Sequence, residues 1–198
     1  RMTHGDYVRN RGFSVNDASD REVTMTVYPK ASARVAVEDG EGPVADAQVT
    51  LSKDGYQVAQ GSTGADGTYD AGTVEEGLYT VDVSKAGYYG LRQDVDVAGD
   101  ADVPVTIERG TVTLEVNVTD DHFDPRRPVG EATADVQESG SVTTQPTGIG
   151  RISVPVNAWA TVNVNKDGYE PTSENVYVGE SDAEVALSIQ RTPAISVE

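Results

Sequence analysis

Four aspartates that lie close together are the residues of this chain whose chemistry is easiest to name. They are Asp94, Asp96, Asp100 and Asp102. A calcium ion takes about six to eight oxygen ligands, and aspartates crowded around a turn can supply several of them. The spacing differs from an Asp-x-Asp-x-Asp-Gly loop, and a chain with 33 acidic residues forms such clusters by chance. The cluster is therefore a candidate Ca²⁺ site, with a solvated acidic surface as the alternative.

A second group of chemically active side chains occupies segment 120–129, which is longer than the matching segment 38–44. Long loops on a rigid scaffold carry binding sites disproportionately often. Arginine also pairs with carboxylates through two parallel hydrogen bonds. The alternative is an ordinary long connection that shields one end of a domain. We predict a contact with a protein partner through the imidazole, the ring and the two guanidinium groups of His122, Phe123, Arg126 and Arg127.

A glycosylation sequon occurs at Asn117-Val-Thr119. Sugar attached at Asn117 would mark an exposed site outside the cell. Val116 and Val118 flank this asparagine in an alternating pattern, so the alternative is a chance sequon inside a strand.

Exposed aromatic side chains would allow the chain to bind carbohydrate by ring stacking. Trp159 aligns with Leu78 at the start of a strand, and we therefore expect Trp159 to be buried. The full set of candidates is Tyr56, Tyr88, Tyr89, Tyr177 and Trp159.

Residues suited to catalysis are sparse. The chain has two histidines, His4 and His122, and no cysteine. Neither histidine adjoins a serine in a nucleophile turn, and the two lack the spacing of metal ligands. Paired carboxylates alone do not make a glycosidase, because that chemistry needs a cleft in which one carboxyl stays protonated. We predict that the protein is not an enzyme and needs no cofactor apart from the candidate Ca²⁺.

The charge of the chain restricts its partners. The formal net charge is −18, from 33 acidic and 15 basic residues. Nucleic acid is excluded because phosphate binding needs a basic patch, and anionic membrane surfaces are disfavoured for the same reason. No apolar run approaches the ~20 residues that span a bilayer, so membrane insertion is not expected. The few lysines and the small apolar residues resemble a halophilic composition, in which molar salt screens acidic repulsion.

A repeat of fixed length organises the chain. Tyr7, Tyr88 and Tyr169 end the triplets Gly-Asp-Tyr, Ala-Gly-Tyr and Asp-Gly-Tyr, and consecutive tyrosines are 81 residues apart. A period of this size marks a supersecondary unit that is used several times. The tyrosines are predicted to pack at a corner between strands.

The residues that flank the tyrosines define the domains. Two alternating strands and an acidic turn follow each tyrosine, but the strands that precede Tyr88 and Tyr169 have no counterpart before Tyr7. We predict four segments, namely the last strands of an incomplete preceding repeat at 1–30, full repeats at 31–110 and 111–192, and the start of a further strand at 193–198.

Strict alternation of apolar and polar residues predicts an all-β fold. It is clearest at 112–118, 103–107 and 185–189. One apolar face and one polar face are typical of a half-buried antiparallel strand, and Asp-Gly pairs supply the positive φ that hairpin turns require. About seven strands per repeat predict tandem antiparallel Ig-like sandwiches. Pro104 places its strand at a sheet edge.

Three motifs of the first full repeat are diagnostic when taken together. They are a Pro-hydrophobic-x-x-Ala-x-Val strand at 43–49, an Asp-Gly turn into an aromatic at 66–69, and Lys-x-Gly-Tyr at 85–88. In this respect the repeat resembles the carboxypeptidase regulatory-like and transthyretin-like group of β-sandwich modules. The second repeat departs from the pattern, because Gly148-Ile-Gly150 replaces the Asp-Gly-aromatic turn. The resemblance implies a non-catalytic accessory or surface module with no catalytic residues to carry over.

These features predict a structural module of an extracellular assembly, such as a stalk, a fibre, a cell-envelope layer or a virion appendage. Its expected partners are other protein subunits or copies of itself, and its expected location is the surface of a cell or virion. The alternative is an adhesion module that recognises surface glycans. Donation of the strand at 194–198 to segment 1–30 of another copy would join copies head to tail. The alternative to strand donation is that the sequence is a fragment of a longer chain.

Overall fold

A computed structural model describes residues 2–4, 7–9 and 28–193, and every helix or strand in these residues is a β-strand. The strands predicted at 11–15 and 22–27, and the one predicted at 194–198, lie outside the described residues. Nowhere in the described residues is there a helix whose length and hydropathy would let it cross a bilayer.

The first unit consists of two sheets built around a long strand. In one sheet this strand, β3, pairs with β2, β4, β7 and β10, and β1 pairs with β2. The other sheet has the order β6-β5-β8-β9. The strands are β1 (Met2–His4), β2 (Tyr7–Arg9), β3 (Tyr28–Asp39), β4 (Gly42–Pro43), β5 (Gln48–Lys53), β6 (Tyr56–Ser62), β7 (Thr68–Glu75), β8 (Gly77–Ser84), β9 (Leu91–Val97) and β10 (Ala101–Thr106).

The second unit repeats this plan. Strand β11 pairs with β12, β15 and β18 in one sheet, and the other sheet has the order β14-β13-β16-β17. The strands are β11 (Thr111–Asp120), β12 (Arg127–Pro128), β13 (Thr133–Val136), β14 (Gly140–Thr143), β15 (Ile149–Pro155), β16 (Ala158–Asn165), β17 (Thr172–Val178) and β18 (Ala183–Ile189).

The closing strand of each unit lies parallel to the opening strand. Strand β10 pairs with β3 and β18 pairs with β11 in parallel, whereas every other pairing between described strands is antiparallel. The prediction of antiparallel sandwiches is thus refined by one parallel pair in each unit. Among the described strands, β10 pairs only with β3, so the strand that holds Pro104 lies at an edge of the described sheet, as predicted. The missing amide hydrogen of proline is tolerated at such an edge.

Each core lies between the two sheets of its unit and consists mostly of valine. Of the residues predicted to point inward from the opening strand of the second repeat, Leu114, Val116 and Val118 are buried, and Val112 is half-buried. The side chains of Val185, Leu187 and Ile189 meet them in the same core, and Val162 and Val164 enter from the other sheet. Small branched side chains suit such a core because they fit the pleated surface of a strand.

The repeated tyrosines take part in similar main-chain pairings. Tyr88 pairs with Arg109 and Tyr169 pairs with Arg191 through isolated bridges, and Tyr7 pairs with Pro29 where β2 meets β3. The compact units differ from the sequence repeats, because a short segment of the first repeat belongs to the second unit. The first consists of the chain up to Lys85 together with Gly90–Glu108, and the second of Ala86–Tyr89 together with the chain from Arg109 onward.

Candidate functional site

A buried carboxylate closes one end of the second unit. Asp120 is the last residue of β11, and only 2% of its surface is exposed. Its Oδ2 accepts hydrogen bonds from Nε of Arg191 (2.8 Å) and the hydroxyl of Tyr169 (3.0 Å). Its Oδ1 accepts a third from the amide of His122 (3.0 Å). The parallel pairing of β11 with β18 sets Asp120 opposite Ile189, which brings Arg191, two residues later, within reach.

These bonds hold the carboxylate in its charged form. Burial by itself raises the pKa of Asp120, but hydrogen bonds from Arg191, the His122 amide and Tyr169 outweigh it, and the pKa is lowered. The same contact with Asp120 raises the pKa of Arg191. Burial first, and then the bond to the charged Asp120, raises the pKa of Tyr169. A carboxylate with three donors and a lowered pKa is a poor proton acceptor, so the arrangement is suited to fixing structure.

The loop 120–129 folds over this carboxylate. The guanidinium of Arg127 lies 4.1 Å from the ring centroid of Phe123, and that of Arg191 lies 5.0 Å from the same centroid. His122 meets the edge of Phe123 at a centroid distance of 5.3 Å. Cations over an aromatic face are attracted by the ring quadrupole. Phe123 thus joins the loop to the buried ion pair.

The structure brings His122 and Arg127 against the ring of Phe123, and Arg126 contacts the neighbouring strand β18. Nη1 of Arg126 donates to Oγ of Ser188 on β18 (2.6 Å). His122, Arg126 and Arg127 are exposed, whereas Phe123 is half-buried. Next to them is a depression of about 250 Å³ whose lining includes Asp120, Phe123, Arg127, Lys166, Tyr169 and Arg191. The lining cations Arg127, Lys166 and Arg191 could bind a carboxylate of another molecule, because the hydrogen bonds of Asp120 are already made within the unit.

A buried threonine fixes the far end of the loop. Oγ1 of Thr144 donates to the carbonyl of Val129 (2.8 Å) and accepts from the amide of Ala132 (2.9 Å). Thr63 makes the same two bonds in the first unit, to the carbonyl of Val44 (2.7 Å) and from the amide of Ala47 (2.9 Å). Each threonine satisfies two main-chain groups that no strand partner reaches.

Reasoning from the sequence missed the roles of Asp120, Tyr169 and Arg191. The repeat carried a signal for two of them, because Tyr88 and Arg109 recur as Tyr169 and Arg191 at nearly the same separation. Nε of Arg109 also donates to the Tyr88 hydroxyl (3.0 Å). A tyrosine and an arginine that recur together indicate a shared contact, which could have been predicted.

The four aspartates of the candidate Ca²⁺ site are divided among two strands of different sheets and the turn between them, which holds Asp100. Asp94 and Asp96 lie on β9, and Oδ1 of Asp94 accepts from the hydroxyl of Thr80 (2.8 Å). Asp102 lies on β10 and forms an ion pair with Arg34 (3.2 Å). Asp100 accepts from the amide of Ser32 (3.3 Å). Within residues 2–4, 7–9 and 28–193 no three acidic or imidazole side chains are placed to hold a metal ion.

The glycosylation candidate Asn117 lies in the middle of β11, between β15 and β18. Its side chain is half-buried, and the Thr119 hydroxyl of the sequon donates to the Leu187 carbonyl (3.4 Å). Both neighbouring valines are buried. The sequon therefore lies in a central strand, and its glycosylation stays a prediction.

The expectation that Trp159 is buried is wrong, because 73% of its surface is exposed. Leu78, with which it aligns, is exposed as well. The inward positions of β16 are Ala160, Val162 and Val164, so the pleat turns Trp159 outward. Tyr88, by contrast, is buried and only 7% exposed. Of the other aromatic candidates, Tyr56, Tyr89 and Tyr177 are exposed.

Comparison with protein families confirms the resemblance of the first repeat. Residues 32–110 match the model of the carboxypeptidase regulatory-like domain. The matched segment is less than half of the chain and coincides closely with the repeat that carries the three motifs. No curated protein matches the chain.

Several solved structures are similar to part or most of this chain at low sequence identity. The TIE protein of Bacillus anthracis is 16% identical with a TM-score of 0.47, and the alignment covers 82% of this chain but only 34% of that protein. GBS52, the minor pilin of Streptococcus agalactiae, is 13% identical with a TM-score of 0.39, and the alignment covers 85% and 99% of the two chains. The shaft pilin SpaA of Lactobacillus rhamnosus GG is 10% identical with a TM-score of 0.35, and the alignment covers 84% and 100%. Likenesses of this degree do not transfer a function.

Proposed function

Because residues 32–110 form a carboxypeptidase regulatory-like repeat, we propose that the chain is a non-catalytic structural module of an extracellular assembly. In this role its tandem sandwiches act as spacers, and loops at their ends contact neighbouring subunits. The assembly is a stalk, fibre, envelope layer or appendage at the surface of a cell or virion. The acidic composition, with a net charge of −18, supports a halophilic source, because such a charge is screened only in concentrated salt.

The observation that carries the proposal is the match of residues 32–110 to the carboxypeptidase regulatory-like domain. A second observation concerns the order of the backbone within the second unit, to which Ala86–Tyr89 belongs. The Gly87 amide donates to Val156 (2.8 Å), the Gly110 amide to Gly87 (3.0 Å) and the Val156 amide to Gly110 (3.1 Å). Nδ2 of Asn157 donates to the carbonyl of Tyr88 (2.8 Å). A flexible segment has a solvated backbone without such bonds, so the backbone around Gly110 is ordered within this unit.

The loop 120–129 provides the proposed partner contact. Arg126 and Arg127 are exposed on this loop in a strongly acidic protein. Asp120 fixes the start of the loop by accepting a hydrogen bond from the His122 amide. Carboxylates of a neighbouring acidic subunit are suitable partners for exposed guanidinium groups. This contact is separate from the spacer role and can be tested separately.

Spin labels can test the spacer role, because the chain has no cysteine of its own. One cysteine would replace Tyr56 in the first unit and another Ser141 in the second, both at exposed positions. In molar NaCl we expect a narrow distribution of label distances by pulsed electron resonance. A matched variant with a short Gly-Ser insertion after Arg109 should give a broad one. A distribution equally broad in both proteins would contradict the spacer proposal.

Sedimentation tests the partner contact. If the loop joins copies of this chain, association in molar NaCl should weaken when Arg126 and Arg127 are both changed to Ser. If the chain is strictly monomeric at high concentration, copies of itself are excluded as partners, and other protein subunits remain as the candidate partners.

A further inference from the structure

An exposed pair of aromatic rings stands on the outer face of the sheet β14-β13-β16-β17. Trp159 and Tyr177 are opposite each other in the register of β16 and β17. Their ring centroids are 5.5 Å apart, and 73% and 52% of their surfaces are exposed. Two large rings left in water on a rigid sheet are uncommon unless something covers them.

Uncharged polar side chains continue this face along the strands. Thr161 is opposite Asn175, and Oγ1 of Thr161 donates to Oδ1 of Asn175 (2.7 Å). Asn163 and Asn165 follow on β16, so the row extends about 20 Å from Trp159. Its far end opens into a depression of about 710 Å³ lined by Asn163, Asn165, Asp135, Thr133 and Ser173 among others. This volume is in the range of small-molecule sites, about 300–1,000 Å³.

The first repeat supplies an internal comparison, because the same positions occur there 81 residues earlier. Trp159 and Tyr177 correspond to the opposed pair Leu78 and Asp96. The remaining pairs are Thr80 with Asp94 and Asp82 with Arg92 in the first repeat, and Thr161 with Asn175 and Asn163 with Ser173 in the second.

The two faces therefore share a backbone but differ in chemistry. Six aligned positions hold three carboxylates and a guanidinium in the first repeat, and no charged group in the second. Folding alone does not require this difference, because the core positions behind the two faces are equally apolar. A surface adapted to salt through acidic residues would carry carboxylates on both repeats.

A neutral sugar chain suits the second face. Amide side chains offer donors and acceptors together, as hydroxyl-rich ligands require, and an electron-rich aromatic face attracts the positively polarised C–H groups of a sugar ring. Asp135 lies in the depression and can accept hydrogen bonds from hydroxyls. Glu131 and Asp167 line the depression together with Asp135, and Lys166 is the one cation among its lining residues. The lining is therefore negatively charged, and an anionic sugar would be repelled.

We propose that the outer face of β13, β16 and β17 binds a neutral glycan, with Trp159 and Tyr177 as the stacking platform and Asn163, Asn165 and Asp135 as its hydrogen-bonding groups. The site belongs to the second repeat alone. It would allow the module to hold a surface polysaccharide while the loop 120–129 contacts protein.

The test uses the full chain, in which Trp159 is the only tryptophan, so that its fluorescence reports on this face directly. Tetrasaccharides of a neutral hexose and of an N-acetylhexosamine would be titrated in molar NaCl, together with a tetrasaccharide of a uronic acid. We expect a saturable blue shift of the emission with at least one neutral sugar and none with the acidic one.

Variants that install the residues of the first repeat give the matched control. Tyr177→Asp should weaken binding by at least about 10-fold. Trp159→Leu removes the fluorescent reporter, so its binding would be measured by calorimetry, and we expect binding to be abolished. Tyr56→Ala, which removes an exposed ring of the first unit, should leave the affinity unchanged.

Three outcomes would overturn the proposal. One is the lack of any saturable change with the neutral sugars, and another is an unchanged affinity in Tyr177→Asp. The third is an emission shift that depends on protein concentration alone, which would mean that a second copy of the chain covers the rings. None of these outcomes bears on the spacer role, which the distance measurement decides independently.

Discussion

Replacement of Thr144 by valine tests how the loop 120–129 is fixed at its far end. Valine has nearly the shape of threonine, but it removes the hydroxyl that bonds the Val129 carbonyl and the Ala132 amide. Thr144 is only 3% exposed, so water does not readily replace the lost partner. A buried main-chain group without a partner costs about 1–3 kcal/mol, and two such groups give a loss of about 2–6 kcal/mol.

Thr144→Ser is the matched control. Serine keeps the hydroxyl and loses one methyl group, which costs about 1 kcal/mol. Urea denaturation in molar NaCl, followed by the fluorescence of Trp159 in the second unit, measures both variants on one scale. Amide exchange of Ala132 should accelerate in the valine variant and stay protected in the serine variant.

The order of stabilities decides the outcome. If Thr144→Val is as stable as Thr144→Ser, the hydroxyl is not what holds this segment and the reasoning is refuted. The equivalent Thr63→Val should destabilise the first unit by a similar amount, because Thr63 makes the same two bonds there.

Further predictions concern acid, packing, salt and calcium. The lowered pKa of Asp120 means that its stabilisation is present above about pH 4 and is lost as the pH falls through the lowered value. Urea midpoints measured against pH should therefore drop in acid for the native chain and change less for Asp120→Asn. In Gly110→Ala the new Cβ would lie 2.6 Å from the Tyr89 ring, which should cost about 1–3 kcal/mol in urea denaturation. Gly40→Ala, with open space around it, should be close to neutral. Thermal midpoints should rise between about 0.1 and 1 M NaCl, as the Debye length falls from about 10 to 3 Å; a flat profile would argue against halophilic adaptation. Calorimetry with Ca²⁺ in molar NaCl should give no saturable heat, because Asp94 and Asp96 lie on one sheet and Asp102 on the other, and a stoichiometric isotherm would reverse this interpretation.

The local pattern of the sequence was enough to predict the strands. The alternating segments 103–107, 112–118 and 185–189 each overlap an observed strand, and the buried residues of β11 and β18 are among those that alternation indicated. The edge position of β10 followed from Pro104. These features depend on properties of single residues and their neighbours, namely side-chain alternation and the missing amide of proline.

The error at Trp159 arose from treating alignment with a strand as if it meant burial. Successive residues of a strand face opposite sides, so a shift of one position exchanges the core for solvent. Val162 and Val164 fix the inward set of β16, and Trp159 belongs to the other set. Counting from these valines would have placed the tryptophan outside.

The all-β class and the 81-residue repeat could be predicted from the amino-acid pattern alone. The same holds for the resemblance of the first full repeat to the carboxypeptidase regulatory-like domain, whose model residues 32–110 match. These follow from local periodicity and composition. Three features depend on the folded chain, namely the burial of Asp120 beneath Arg191 and Tyr169, the position of Asp94 and Asp96 on a different sheet from Asp102, and the contact of Trp159 with Tyr177. Such contacts join residues that are far apart in the chain, and their geometry depends on which strands pair and in which register.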